Sequence, residues 1–273
     1  MRGLKFTGLW LAPVLAVFLC RAALAQPDPA QGPTEIVSPA AVEGLNGYGR
    51  SLMAVIAEFI GKTMDAEADL LTLLSETQDI ESGQWQDIKP RLAAARALGA
   101  KGLLWFAQPD GTYYTVEKDR MPEGLKDRDY FPRLMAGEKV VASLVVSRST
   151  GKKSIVIAMP VKNKGAIVGA VGASIFLEDL NKELSNSLTL PDGVYFYALS
   201  PDGTVVLHKS AGMIFAKARE LGSPTLTQAI DEMFRKPSGE TAYEFNGFSK
   251  RAFFMTIPRL GWKVVLGANL KKL

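Results

Sequence analysis

The sequence predicts an α+β protein: a long N-terminal helix followed by two modules, each a five-stranded antiparallel sheet with flanking helices. Three observations lead there. Apolar residues recur at helical spacing from Leu45 to Leu74. From Lys101 onward the pattern changes to short apolar runs cut by turn residues. The order two strands, helices, three strands then occurs twice, each time with a Pro-Asp-Gly turn, at 109–111 and at 201–203. A single such turn is common, so the repeated order of elements carries the inference.

The chain has 273 residues. Its first 25 read as a secretory signal: Arg2 and Lys5 give a positive start, Leu9 to Leu19 an apolar run, and Ala23-Leu24-Ala25 a small-residue cleavage pattern. The apolar run is short for a spanning helix, which needs about 20 residues. Cleavage is expected between Ala25 and Gln26, with an uncleaved segment anchored in the inner membrane as the alternative. Cys20 does not make a lipoprotein site, because Leu19 before it is too bulky.

Charge must be counted without that segment. The formal net charge is +4 for the whole chain, but residues 1–25 hold three basic residues and no acid. The remainder carries 29 basic and 28 acidic residues, a net charge of +1. No basic stripe remains for phosphate backbones, so nucleic acid is not an expected partner. The one cysteine also leaves with the segment, and the core alone must hold the fold. With His208 as the only histidine, thiol and soft-metal chemistry have no ligand set, and no cofactor is expected. No Gly-rich phosphate loop, GxSxG elbow or HExxH motif is present. A secreted or periplasmic protein that is not an enzyme is the expectation.

Residues 26–38 are rich in Pro, Gly and Gln and read as a flexible leader. Ser38-Pro39 marks a helix start, Ser as cap and Pro at the first position. Leu45, Tyr48, Leu52, Ile56, Phe59, Met64, Leu71 and Leu74 then trace one amphipathic helix to about Ser75. A second helix spans about 84–98 and stops at Gly99.

"GLLWFAQ" and "TYYTVE" flank the first Pro-Asp-Gly and form a hairpin. A helical stretch over 130–136 follows. Strands are predicted at 140–147, 154–161 and 167–177, and a helix at 178–188 closes the first module, taken as 39–190. The second, smaller module is 191–273. Its hairpin is "VYFYALS-PDG-TVVLHKS", its helical segments lie near 215–221 and 226–235, and its last strands are "GETAYEFN", "KRAFFMTIP" and "WKVVLGAN". The aromatics Tyr243, Phe245, Phe248, Phe253 and Phe254 read as the core of that sheet, and His208 as a hydrogen-bonded strand residue.

Residues 127–180, "DRDYFPRLMAGEKVVASLVVSRSTGKKSIVIAMPVKNKGAIVGAVGASIFLEDL", carry a more specific signal. The Arg-x-aromatic-aromatic helix start, the "SRSTGK" hairpin, the "IAMPV" strand and the "GAVGASIFLEDL" strand running into a helix resemble the ligand-binding module of extracytoplasmic double Cache domains. These are PAS-like sensor modules of chemoreceptors, histidine kinases and diguanylate cyclases. The resemblance implies two PAS-like modules, the first binding ligand. In amino-acid-binding members an Arg-x-Trp-Tyr set takes the ligand carboxylate and an aspartate on the last strand takes its ammonium. Here Arg128, Tyr130 and Phe131 occupy the first set. Ser174 stands at the last-strand position, and Val145 or Ser147 where another acid is expected. A buried ammonium without a carboxylate is costly, so a small organic anion is the expected ligand.

Arg128 offers a planar fork of donors to a carboxylate, and Tyr130 a ring or a hydroxyl. Ser143, Ser147 and Ser149 share a face if their strand is regular. Ser174 is a polar residue inside an apolar strand, and Trp105 and Tyr114 on the first hairpin complete the candidate wall. The partners this reading implies are the anion, a membrane sensor or transporter that receives the signal, and a second copy docked along the long helix. The alternative is a ligand-free PAS-like module that binds protein.

Overall fold

The computed structural model describes residues 34–273. The expected signal segment and most of the leader lie outside them.

Helix α1 (Pro39–Ser75) is the spine. Ser38 caps it by accepting a hydrogen bond from the Ala41 N–H at 3.2 Å, and Pro39 opens the first turn without wasting a donor. Its 37 residues give about 55 Å at 1.5 Å per residue. The buried stripe runs Leu45, Met53, Ile56, Ile60, Met64, Leu71 and Leu74. Tyr48 lies outside it, exposed. Two short helices follow, α2 (Gln78–Glu81) and α3 (Trp85–Ala97).

The first sheet contains β1 (Leu103–Ala107), β2 (Tyr113–Thr115), β3 (Asp119–Arg120), β4 (Val140–Val146), β5 (Lys153–Asn163) and β6 (Ala166–Phe176). All its pairings are antiparallel, in the order β3-β2-β1-β6-β5-β4. It therefore has six strands where five are predicted. The extra one, β3, is a two-residue pairing of Asp119 and Arg120 with Thr115 and Tyr114, too short to leave a period in the sequence. Helix α4 (Phe131–Met135) precedes β4 and α5 (Leu177–Ser187) follows β6.

The second sheet contains β7 (Val194–Leu199), β8 (Val205–His208), β9 (Ser238–Phe245), β10 (Phe248–Ile257) and β11 (Trp262–Lys272), in the order β8-β7-β11-β10-β9. Helix α6 (Pro224–Arg235) covers one face. The helix predicted near 215–221 is instead two single 3₁₀ turns, Ala211–Met213 and Ala218–Glu220. Phe215 between them has φ +73°, which a continuous helix cannot contain. Leaving out β3, both sheets place the hairpin beside their last strand, the duplicated order read from the sequence.

Local chemistry explains the turns. Asp110 accepts from the Thr112 N–H at 2.8 Å and Asp202 from the Thr204 N–H at 3.2 Å, so each aspartate closes its own Pro-Asp-Gly turn. Lys164-Gly165 and Asn246-Gly247 both have positive φ at each residue, as a two-residue hairpin turn requires.

Each sheet has two apolar faces, which is why β1 and β7 read as continuous apolar runs. Leu104, Phe106, Ile157 and Val171 of the first sheet and Phe196, Val264 and Leu266 of the second join α1 in one core. The opposite faces bury separate cores: Trp105, Tyr113 and Val156 under Phe131 and Leu134, and Tyr195, Tyr197 and Phe254 under Leu226, Ile230 and Met233 of α6. The end of the segment read as a flexible leader is tied down. The Val37 N–H donates to Asn269 O at 2.8 Å, and Asn269 Nδ2 donates to Glu35 O at 3.0 Å.

Candidate functional site

The face of the first sheet turned away from α1 ends in a small cavity. Trp105 and Tyr113 reach it from the hairpin, Val156 and Ser174 from β5 and β6, and Ser147, Arg148 and Ser149 from the β4–β5 turn. Leu125, Arg128 and Tyr130 close it from the connection that leads into α4. The register explains the aromatic pair. Ala107 lies opposite Tyr113 and Trp105 opposite Thr115, so these side chains share a face.

Two guanidinium groups converge on the cavity from different elements. Arg128 Nη2 donates to Val146 O at 2.8 Å, which ties the helix connection to the end of β4. Arg148 donates from Nη1 to Asp127 Oδ1 at 2.7 Å and from Nη2 to Oδ2 at 2.6 Å. This is the two-pronged pairing that suits arginine to a carboxylate. Nη1 also donates to Gly124 O, and Glu123 lies 3.4 Å from Nε. Hydrogen bonding to Arg148 is the main reason the Asp127 carboxyl is held down to about 2. Asp127 itself is exposed, its side chain 70% accessible against 19% for Arg148.

Burial pushes the Tyr130 hydroxyl up to about 12, with nearby Arg128 pulling the other way. Tyr113 is raised by burial too, against a hydrogen bond with Ser149 that pulls it down. Both phenols stay protonated and can donate. Ser147 Oγ and Ser149 Oγ lie 3.0 Å apart, both buried. Among the described residues no carboxylate side chain lines the cavity. Its free volume is about 20 Å³, room for about one water molecule.

Of the nine residues singled out in the sequence, Arg128, Tyr130, Ser147, Ser149, Ser174 and Trp105 line this cavity. Phe131, Ser143 and Tyr114 do not. Phe131 is buried in the core beneath it, packed with Trp105 and Leu134. Ser143 follows a bulge at Ala142 (φ +63°) on the edge strand and stands half-buried outside the wall. Tyr114 points to the other side of the hairpin and stacks on Trp85, ring centroids 5.2 Å apart. Strand alternation puts its neighbour Tyr113 in the wall instead. Arg148 was missed because it lies between Ser147 and Ser149, where strand alternation would turn it away. The strand ends at Val146, and in the following turn that rule fails: the Gly151 N–H donates to Ser147 O at 2.7 Å.

Two antiparallel sheets strung along one long helix are the framework of a ligand-binding sensor domain. The chain belongs to the Cache domain family (dCache_1), which it matches over residues 34–273. A curated relative is the methyl-accepting chemotaxis protein PscA of Pseudomonas syringae pv. tomato, 22% identical over 181 residues. That match takes in 62% of this chain and 28% of the receptor, so the chain spans well under half of its relative. Among solved structures, the ligand-binding domain of the Pseudomonas fluorescens chemoreceptor CtaA, in complex with L-serine, superposes with a TM-score of 0.67 at 17% identity, covering 84% of this chain and 98% of that domain. The domain of the Pseudomonas aeruginosa amino-acid chemoreceptor PctC, in complex with GABA, gives 0.61 at 20% identity, covering 82% and 100%. Cache domains are extracytoplasmic. Among the described residues no helix is long and apolar enough to cross a membrane.

Proposed function

We propose that this chain is an extracytoplasmic sensing domain that binds a small organic carboxylate in the cavity of its first module. Its signal passes to a partner, either a membrane sensor or a transporter. The observation that carries the reading is the wall itself: two arginines, two buried tyrosines and three serines, and no acid. Such a wall offers donors and positive charge to an anion and nothing to an ammonium group. The neighbours CtaA and PctC are seen with amino acids or GABA. The absence of an acid from this wall argues for a carboxylate without a charged amine.

Asp127 is the internal occupant of the Arg148 fork, and the ligand carboxylate takes its place. With room for about one water, the cavity opens as the 121–130 connection moves away from the sheet. The outer face of α1, where Val55 and Leu73 are exposed, is the surface a second copy would use. The N-terminal segment is removed after Ala25 or stays as an anchor, which N-terminal sequencing of the exported protein decides.

The test is a calorimetric titration with lactate, succinate, GABA and neutral amino acids. A charge-assisted hydrogen bond is worth about 1.5–3 kcal/mol, so Arg148→Ala and Arg128→Ala should each weaken a carboxylate roughly tenfold to a hundredfold. Asp127→Asn should tighten it, since an internal competitor is gone. Tightest binding by an amino acid, or weakening by Asp127→Asn, would defeat the proposal. A second reading, a module that binds protein and no ligand, is favoured by the small free volume; silence across the whole panel would support it.

A further inference from the structure

The second module buries polar groups that its core does not need. Cross-strand register gathers them on the face under α6. Tyr197 on β7 lies opposite His208 on β8, and Lys250 on β10 lies between Tyr243 on β9 and Asn269 on β11. Directly opposed residues project to the same side of a sheet, and Tyr195 joins them two residues before Tyr197. All six are more than nine-tenths buried. Tyr195, Tyr197, Tyr243 and His208 line one cavity of about 40 Å³, whose remaining wall is apolar and includes Met213 and Ile230.

The donors outnumber the acceptors. Tyr243 Oη lies 3.4 Å from Tyr195 Oη and 3.3 Å from Tyr197 Oη. Three hydroxyl protons share two contacts, so one proton has no acceptor within the cluster. His208 Nδ1 accepts from the Ser210 N–H at 2.9 Å, which puts the ring proton of the neutral imidazole on Nε2. No acceptor for that Nε2–H is found among the described residues. Behind the wall, and not part of it, stands a positive charge: Lys250 Nζ donates to Asn269 Oδ1 at 2.6 Å and sits 5.0 Å from the ring centroid of the wall residue Tyr195. No described carboxylate pairs with it. A buried ammonium with an aromatic neighbour and no counter-anion is an expensive arrangement to keep for packing alone.

We propose that the second module holds its own ligand site, in which a short-chain monocarboxylate accepts from the tyrosine hydroxyls and His208 Nε2–H and neutralises Lys250. The surplus of donors selects an acceptor, the unpaired ammonium selects an anion, and the apolar wall takes an alkyl tail. Size follows from the volume: at about 10–15 Å³ per water-sized group, 40 Å³ admits about three such groups, so acetate, with four non-hydrogen atoms, sets the scale and an aromatic acid is excluded. Burial holds the His208 imidazolium down to about 4, so the ring is neutral and keeps a single donor. This site is separate from the arginine cavity and does not depend on the proposal for it.

The only histidine of the chain gives the experiment a single reporter. The protein, labelled with ¹⁵N-histidine, is titrated with sodium acetate and sodium propionate against sodium chloride. The expected result is a saturable shift of the His208 Nε2 resonance with one of the two acids. It should persist in Arg148→Ala, vanish in Lys250→Met, and require roughly tenfold more acid in Tyr243→Phe, as loss of one hydrogen bond to a charged group implies. A flat titration in the unmodified protein overturns the proposal. So does a shift that Arg148→Ala abolishes, or one that Lys250→Met and Tyr243→Phe leave untouched.

Discussion

Lys250 makes a pH prediction that can be worked through. Burial lowers its ammonium from 10.5 to about 8. The folded state therefore prefers the neutral amine, and between pH 8 and 10.5 it binds fewer protons than the unfolded chain. Stability is depressed below pH 8 and rises as pH climbs through that window, because the unfolded state holds the extra proton. A gap of about 2.5 pH units at 1.36 kcal/mol per unit amounts to roughly 3 kcal/mol, most of it recovered by pH 10. Lys250→Met removes the titrating group and keeps the side-chain volume. It also forfeits the bond to Asn269, worth about 1–3 kcal/mol, so its stability at pH 7 should fall within about 2 kcal/mol of the unmodified protein.

The assay is thermal or urea unfolding of both proteins at pH 7, 8.5 and 10. At about 2–4 °C per kcal/mol, the unmodified protein should gain roughly 5–10 °C on the variant over that range. Burial raises Tyr195, Tyr197 and Tyr243 above their usual value, so both proteins lose stability once pH passes 10. Those residues are common to both and cancel in the difference. Parallel curves would refute the reasoning, since they would mean that Lys250 reaches water.

Two further outcomes are expected. The His208 ring should titrate near pH 4 and not near 6.5. Its folded pKa is depressed, so stability should fall by roughly 3 kcal/mol as pH drops through 6.5 towards 4. An NMR midpoint near 6.5 would contradict the burial on which this rests. In Gly172→Ala the new Cβ would sit 2.2 Å from Trp105 Cζ2, so the indole must move. Overpacking of this kind costs about 1–3 kcal/mol, measured by urea unfolding, and it should also blunt the ligand response because Trp105 lines the first cavity. A variant as stable as the parent would show that the indole has room to move.

Much of the architecture could be read directly. The helix from Ser38-Pro39 to Ser75 follows from its cap and its apolar spacing, and the paired hairpins follow from two Pro-Asp-Gly turns that aspartates close locally. These signals live within a few residues of one another. Where the reading failed, the cause was distant or too small to leave a pattern. Strand β3 is a two-residue pairing, and the left-handed Phe215 breaks what its apolar neighbours suggest is a helix. Tyr114 and Tyr113 are adjacent, and only the register with β1 decides which one faces the cavity.

Local periodicity, capping and turn chemistry act through neighbours in the chain, and so the sequence by itself determined the class of fold, the order of elements and the family. The sites were decided by tertiary structure. Arg148 meets Asp127 across 21 residues, Tyr243 meets Tyr195 across 48, and Lys250 meets Asn269 across 19. A charge or a hydroxyl becomes a binding group only through what burial leaves unpaired around it. That balance is struck between strands and turns far apart in sequence, once the sheets have closed.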